Sequence, residues 1–163
     1  MPVKVATIRS PLDPDTAYRR IDSITRPNRT FWVSILGHEP AAHGIAFEGT
    51  MAFPSFKIMR IIAYGNAFLP VIRGAIRPCH QGSEVYLRMT LHPVVAVFMI
   101  LLLCVVGAPV AKALLQWPTA SIPAAPAGMF VAGVLLTLGG FFTETTKAEA
   151  VIRECVASRP TRG

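Results

Sequence analysis

Val94–Ala111 reads VVAVFMILLLCVVGAPVA and Ala127–Thr143 reads AGMFVAGVLLTLGGFFT; from Met89 to Thr143 the one ionised side chain is Lys112. A charge at the centre of a bilayer costs roughly 2.5 to 3.5 kcal/mol on insertion scales, so runs this clean point to lipid. The first run is 18 residues long, and at about 1.5 Å per residue it spans about 27 Å of a hydrocarbon core of roughly 30 Å. Lys112 can extend its ammonium toward the far head groups, and Trp117 suits the interfacial belt. Pro118 to Pro126, with three prolines, forms the turn between the runs. The second run reaches full length once Ala124 and Ala125 join it. Gly128, Ala132, Gly133, Gly139 and Gly140 would let it approach the first helix, where Gly107 and Ala111 stand at small-xxx-small spacing. A buried hairpin in a soluble protein is the competing reading, but a chain of 163 residues has too little else to cover two helices apolar all round.

The expected organisation is a cytoplasmic α+β domain over residues 1–92, a transmembrane helical hairpin over 93–143 with helices at about 94–116 and 124–143, and a C-terminal amphipathic helix within 144–163 that packs back on the sheet. Before residue 94 there are 11 Lys and Arg and after 143 there are four, against Lys112 alone in between. By the positive-inside bias both termini belong in the cytoplasm, with the turn outside an inner, cell membrane. Met1–Arg9 has no apolar core of signal-peptide type, so the first apolar run is expected to direct its own insertion.

The net charge is +7, with 52% apolar residues and a mean hydropathy of +0.48. Its cations are scattered, with no aromatic-interleaved stripe, which argues against nucleic acid. Anionic lipid head groups account for the surplus, each nearby Lys or Arg contributing about 1 kcal/mol. An unidentified protein partner is the other candidate. Cys79, Cys104 and Cys155 form no paired spacing, so no disulfide framework is expected, in keeping with a reducing cytoplasmic face.

In the N-terminal part Val3–Ile8 has the alternation of a strand. Asp13 is a good N-cap with Pro14 at the first helical position, and Ala17, Ile21 and Ile24 give a short amphipathic helix ending before Pro27. An antiparallel meander follows, with strands at Phe31–Leu36, Ile45–Met51, Ser55–Ala63, Pro70–Arg77 and Ser83–Leu91. In the last of these Val85, Leu87, Met89 and Leu91 alternate with Glu84, Tyr86, Arg88 and Thr90. Glu144–Ser158 places Ala148, Val151, Ile152, Cys155 and Val156 on one face. Its charge is mixed, so it suits the open sheet better than a membrane surface.

Candidate chemistry is sparse. His38-Glu39-Pro40-Ala41-Ala42-His43 is similar to a zinc-protease motif, but its histidines stand five apart instead of four and Pro40 opposes a helix across them. A polar loop is the better reading. Cys79-His80, Glu48 and Glu84 lack ligand spacing, and no Ser, His and Asp arrangement or phosphate-binding glycine loop is present, so neither a catalytic residue, a metal nor a cofactor is expected. Arg73 and Arg77 share a strand face and are candidates for an anionic lipid or an acidic partner, with a solvated face as the alternative; Lys57 and Arg60 fall on opposite faces. Phe47, Phe56, Ile58, Val85 and Leu87, with the tail helix, could line an apolar pocket.

Tyr64-Gly-Asn-Ala-Phe-Leu-Pro-Val-Ile-Arg-Gly74, with Leu91-His92-Pro93 before the first run, resembles a pattern in small bacterial two-helix membrane proteins without an assigned activity. There a segment close to Arg-Asn-Ser-Phe-Leu-Pro precedes a glycine-bearing strand; Ala67 stands here for the serine. The resemblance covers roughly residues 45–145 and implies topology alone. The order strand, helix, strands, final helix is also similar to the helix-grip START-like domains, which implies an apolar ligand between sheet and last helix, although the strands expected here are too few for a full version. Two functions follow as expectations: a non-enzymatic interaction, scaffolding or sensing module at the membrane, or a membrane-tethered binder of lipid or another apolar ligand.

Overall fold

A computed structural model describes residues 2–27, 44–62, 68–117, 121 and 123–157. It is mixed α+β, a six-stranded sheet with three helices. Chain order is β1 (Val3–Ser10), α1 (Pro14–Ser23), β2 (Thr25–Pro27), β3 (Phe47–Ala52), β4 (Ser55–Arg60), β5 (Pro70–Cys79), β6 (Gly82–Leu91), α2 (Pro93–Leu115) and α3 (Ala124–Ala157). The expected strand at Phe31–Leu36 and the residues Tyr64, Gly65 and Asn66 that open the string quoted above lie outside the described residues.

Strands β3 to β6 pair antiparallel in chain order. What alternation does not supply is the rest of the order, β1-β6-β5-β4-β3-β2. The first strand closes antiparallel on the last, and the short β2 runs parallel to β3. Helix α1 starts as its sequence dictates: the Asp13 carboxylate accepts the Thr16 N–H at 2.9 Å with Pro14 in the first turn, and the Thr16 hydrogen bonds hold that carboxyl below its usual range. It ends at Ser23, earlier than Pro27, where Thr25 enters β2.

One face of the sheet, here the inner face, carries Ile8, Val85, Leu87, Met89, Ile72, Ile76, Phe56, Ile58 and Phe47, all buried. Against it pack Ala17 and Ile21 of α1 and Ala148, Ile152 and Val156 of α3, at most 4% exposed, in one continuous core. Gly74 is required here. A Cβ at that position would run into the Phe56 ring, which lies across the strand.

Two helices, α2 and α3, are long and apolar enough to cross a membrane. Only 17% and 11% of their most apolar windows is buried, while Phe98, Leu101, Val105, Leu115, Leu135 and Leu136 are exposed. An exposed apolar surface of this extent marks a face that contacts a membrane or another protein. Two glycines make the contact between the helices: Gly107 faces the Phe130 ring at 3.1 Å from where its Cβ would be, and Gly133 faces Leu103 at 3.1 Å. Gly140 instead receives Phe68, from the segment entering β5, and Gly128 and Gly139 face open space.

The second apolar helix and the terminal amphipathic helix, separate elements in the sequence reading, are one helix of 34 residues. No proline or glycine stands between Thr143 and Ala157 to stop it. Residues 124–143 account for about 30 Å of its length and 144–157 for about 21 Å at the standard rise. The second portion lies along the inner face of the sheet.

Candidate functional site

One end of the sheet gathers Leu91 at the end of β6, Pro70 at the start of β5, Arg60 at the end of β4 and Phe47 at the start of β3, with Pro70 opposite Leu91 and Phe47 opposite Arg60. The chain leaves this end through His92 directly into α2, and α3 arrives beside it. His92 caps α2, its Nδ1 accepting the Val94 N–H at 3.3 Å.

At that junction α3 is tied to the sheet by charge. Glu144, 2% exposed, accepts from Arg60 Nη1 at 2.9 Å and Lys147 Nζ at 3.1 Å. Lys4 Nζ of β1 lies 2.9 Å from Glu149 and donates to Thr146 Oγ1 at 3.3 Å. At the far end Ser10 donates to the Val156 carbonyl at 2.7 Å, and Arg20 to that of Cys155 at 3.3 Å. The Arg60–Glu144 pair is absent from the sequence reading. Its signal is that Glu144 is the first charge after a long apolar run.

On the opposite, outer face, register assembles a feature that sequence spacing did not reveal. Lys57 stands directly opposite Arg73, and Arg73 directly opposite Arg88. Three exposed cations thus form one row across β4, β5 and β6. Side chains opposite one another in adjacent strands have Cβ atoms about 4.5 to 5.5 Å apart, and like charges so placed repel. Among the described residues no carboxylate pairs with any of the three. The contrast with the rest of the sheet is clear: Arg9 pairs with Glu84, Arg26 with Glu48, Arg60 with Glu144 and Lys4 with Glu149.

Arg73 and Arg77 do share a face, but their surroundings differ. Arg77 stands opposite Glu84 toward the far end of the sheet, whereas Arg73 sits in the cationic row toward the edge that meets α2. Lys57 and Arg60 fall on opposite faces, as expected, one in the row and the other on Glu144.

Between this row and the start of α2 lies a cleft of about 190 Å³. Lys57, Arg73 and His92 line it with Thr50 and Thr90, and Met59, Val71 and Pro93 add an apolar side. Burial, and then the neighbouring Lys57, push the His92 imidazole below its usual pKa. Gly49 contributes backbone to the cleft; a Cβ there would meet the Lys57 carbonyl.

The five residues expected to line an apolar pocket, Phe47, Phe56, Ile58, Val85 and Leu87, are all buried in the core between sheet and helices. Phe56 fills the space that Gly74 leaves. A separate apolar groove of about 190 Å³ lies between α2 and α3, lined by Leu91, Met99, Leu103, Val134, Thr137 and Leu138 among others. Cys79 and His80 sit at the β5–β6 turn, beside Arg9 and Ser10 in an open depression. His38, Glu39 and His43 lie outside the described residues, and among those described no three His, Cys, Asp or Glu side chains could share a metal ion.

No protein-family model, curated protein or solved structure matches the chain.

Proposed function

We propose that the chain is an integral membrane protein whose α2–α3 hairpin crosses the cell (inner) membrane, and that its sheet domain is a non-enzymatic interaction, scaffolding or sensing module held against the cytoplasmic leaflet. The N-terminal and C-terminal parts lie on the cytoplasmic side and the 116–123 connection on the other, in keeping with the positive-inside bias. One observation carries the reading: α3 runs unbroken from an apolar hairpin onto the inner face of the sheet, where Arg60 and Lys4 fix it through Glu144 and Glu149. A continuous helix cannot swing as a flexible linker does. The domain therefore keeps one orientation to the bilayer and presents its outer face sideways, available to a partner.

The second reading, a tethered binder of an apolar ligand between sheet and terminal helix, has the placement of α3 in its favour. Against it stands the filled inner face, where Phe56 lies over Gly74 and the five candidate pocket residues pack in the core. Mass spectrometry of the full chain after gentle detergent purification separates the two, combined with a photo-crosslinking residue at Tyr86 on the outer face. The module reading expects a discrete protein adduct through Tyr86 in membranes. A stoichiometric apolar molecule retained by the domain, with no adduct at Tyr86, would overturn it in favour of the binder.

A further inference from the structure

We propose that the cleft between the outer face of β3–β5 and the start of α2 binds the phosphate of an anionic phospholipid, with Lys57 and Arg73 as its phosphate contacts. This rests on the membrane reading above and adds a lipid class and a site to it.

Three observations converge on this cleft. The first is electrostatic. Lys57, Arg73 and Arg88 stand opposite one another without a carboxylate among the described residues, while Arg9, Arg26, Arg60 and Lys4 around them are paired. Like charges opposite one another in adjacent strands repel, and an anion lying over the row would relieve that repulsion. The second is position. Pro93 lines the cleft and is the first residue of α2, the next residue, Val94, is 51% exposed, and the apolar surface of the hairpin starts there. With the hairpin in a bilayer the cleft stands at the height of the head groups. The third is its mixed chemistry. A free phosphate would be served by cations and hydroxyls alone, whereas Met59, Val71 and Pro93 give the cleft an apolar side suited to the glycerol end of a lipid. Thr50 and Thr90 supply hydroxyls on the polar side. Lys and Arg at such a surface favour anionic over zwitterionic lipid by simple charge attraction, and the preference weakens with salt.

The test uses the full chain in detergent, titrated with phosphatidylglycerol or phosphatidylcholine and read by native mass spectrometry. A parallel arm adds inorganic phosphate at millimolar concentration. The expected result is one phosphatidylglycerol retained in preference to phosphatidylcholine. The preference should fall about tenfold in the K57Q/R73Q variant and by less than about twofold in R77Q, whose side chain stands opposite Glu84. Melting of K57Q/R73Q in phosphatidylcholine nanodiscs provides the control for folding: relief of repulsion leaves it unchanged or raised. Equal retention of the two lipids, a preference that survives K57Q/R73Q, or displacement of the lipid by inorganic phosphate would each overturn the proposal. Failure of the membrane reading shows differently, as a chain that stays monodisperse without detergent or nanodisc.

Discussion

Arg60 Nη1 lies 2.9 Å from Glu144 Oε2, joining the last residue of β4 to the first charged residue of α3. The partners differ in access to water: the Glu144 side chain is 2% exposed, Arg60 23% and Lys147 48%. Removing Arg60 leaves the buried carboxylate with the more exposed Lys147 and takes away its shorter ion pair, whereas neutralising the carboxylate frees cations that can reach solvent. Arg60→Met is expected to cost about 3 kcal/mol, and Glu144→Gln clearly less. Arg60→Met combined with Glu144→Leu should recover most of the loss, because no buried charge remains. Thermal unfolding of the four proteins in one detergent checks the order, and equal losses in the two single variants would contradict it.

The glycines of the hairpin are expected to separate by what faces them. Gly133→Val drives a side chain into Leu103 and Gly107→Val one into Phe130, each costing about 1 to 3 kcal/mol as overpacking. Gly139→Ala, in open space, should be neutral or stabilise by up to about 1 kcal/mol through helix propensity. Thermal melts of the reconstituted protein read the difference.

Much of the sheet was legible because a period of two betrays which residues share a face, as in Val85, Leu87, Met89 and Leu91. Alternation does not say which strands are neighbours. The row Lys57, Arg73, Arg88 exists only through register, and Arg88 looked like one polar residue of an alternating strand. The same limit hid β1 beside β6 and the three-residue β2. The two helices of the hairpin were legible from length and lack of charge. The continuity of α3 was not, since its pattern changes from apolar all round to one-sided near Thr143, which mimics a boundary. Tertiary contacts flank the helix there: Phe68 on Gly140 and Arg60 on Glu144. The pair Arg73 and Arg77 shared a face as spacing required, but Glu84 opposite Arg77 and Arg88 opposite Arg73 give the two different surroundings.

Phe56 closes the inner face over Gly74, so its truncation should open a cavity. Phe56→Ala is expected to destabilise by about 3 to 5 kcal/mol. Gly74→Ala should also destabilise, since the new methyl must displace the ring. The combination Phe56→Leu with Gly74→Ala should be milder than the sum of the two single changes, because the residues share one space. Additive losses in a double-variant cycle would contradict the contact.

His92 supplies a pH dependence with a definite sign. Burial first, then Lys57, hold its folded pKa below the unfolded value of about 6.5, so the unfolded chain takes up the proton more readily. Its contribution is complete above about pH 6.5 and lost as pH falls toward the lowered folded value. Arg73 and Lys57 line the same cleft. Stability is expected to decline between pH 7 and 5, and His92→Asn, which keeps a capping acceptor, should remove that part of the decline. Imidazole chemical shifts followed by NMR locate the transition, which an anion bound in the cleft should move upward.

The proposed hairpin in lipid, with the sheet domain on the cytoplasmic side, can be tested with the chain's own thiols. In a Cys104→Ser, Cys155→Ser background the exposed Cys79 at the β5–β6 turn is the only thiol; a second protein replaces it with Ser and carries Ser121→Cys in the connection between the helices. A membrane-impermeant maleimide is added to intact cells and to inverted membrane vesicles. Cys79 is expected to react in inverted vesicles alone and the cysteine at 121 in intact cells alone. Labelling of Cys79 from outside intact cells, or labelling of both positions from the same side, would contradict it.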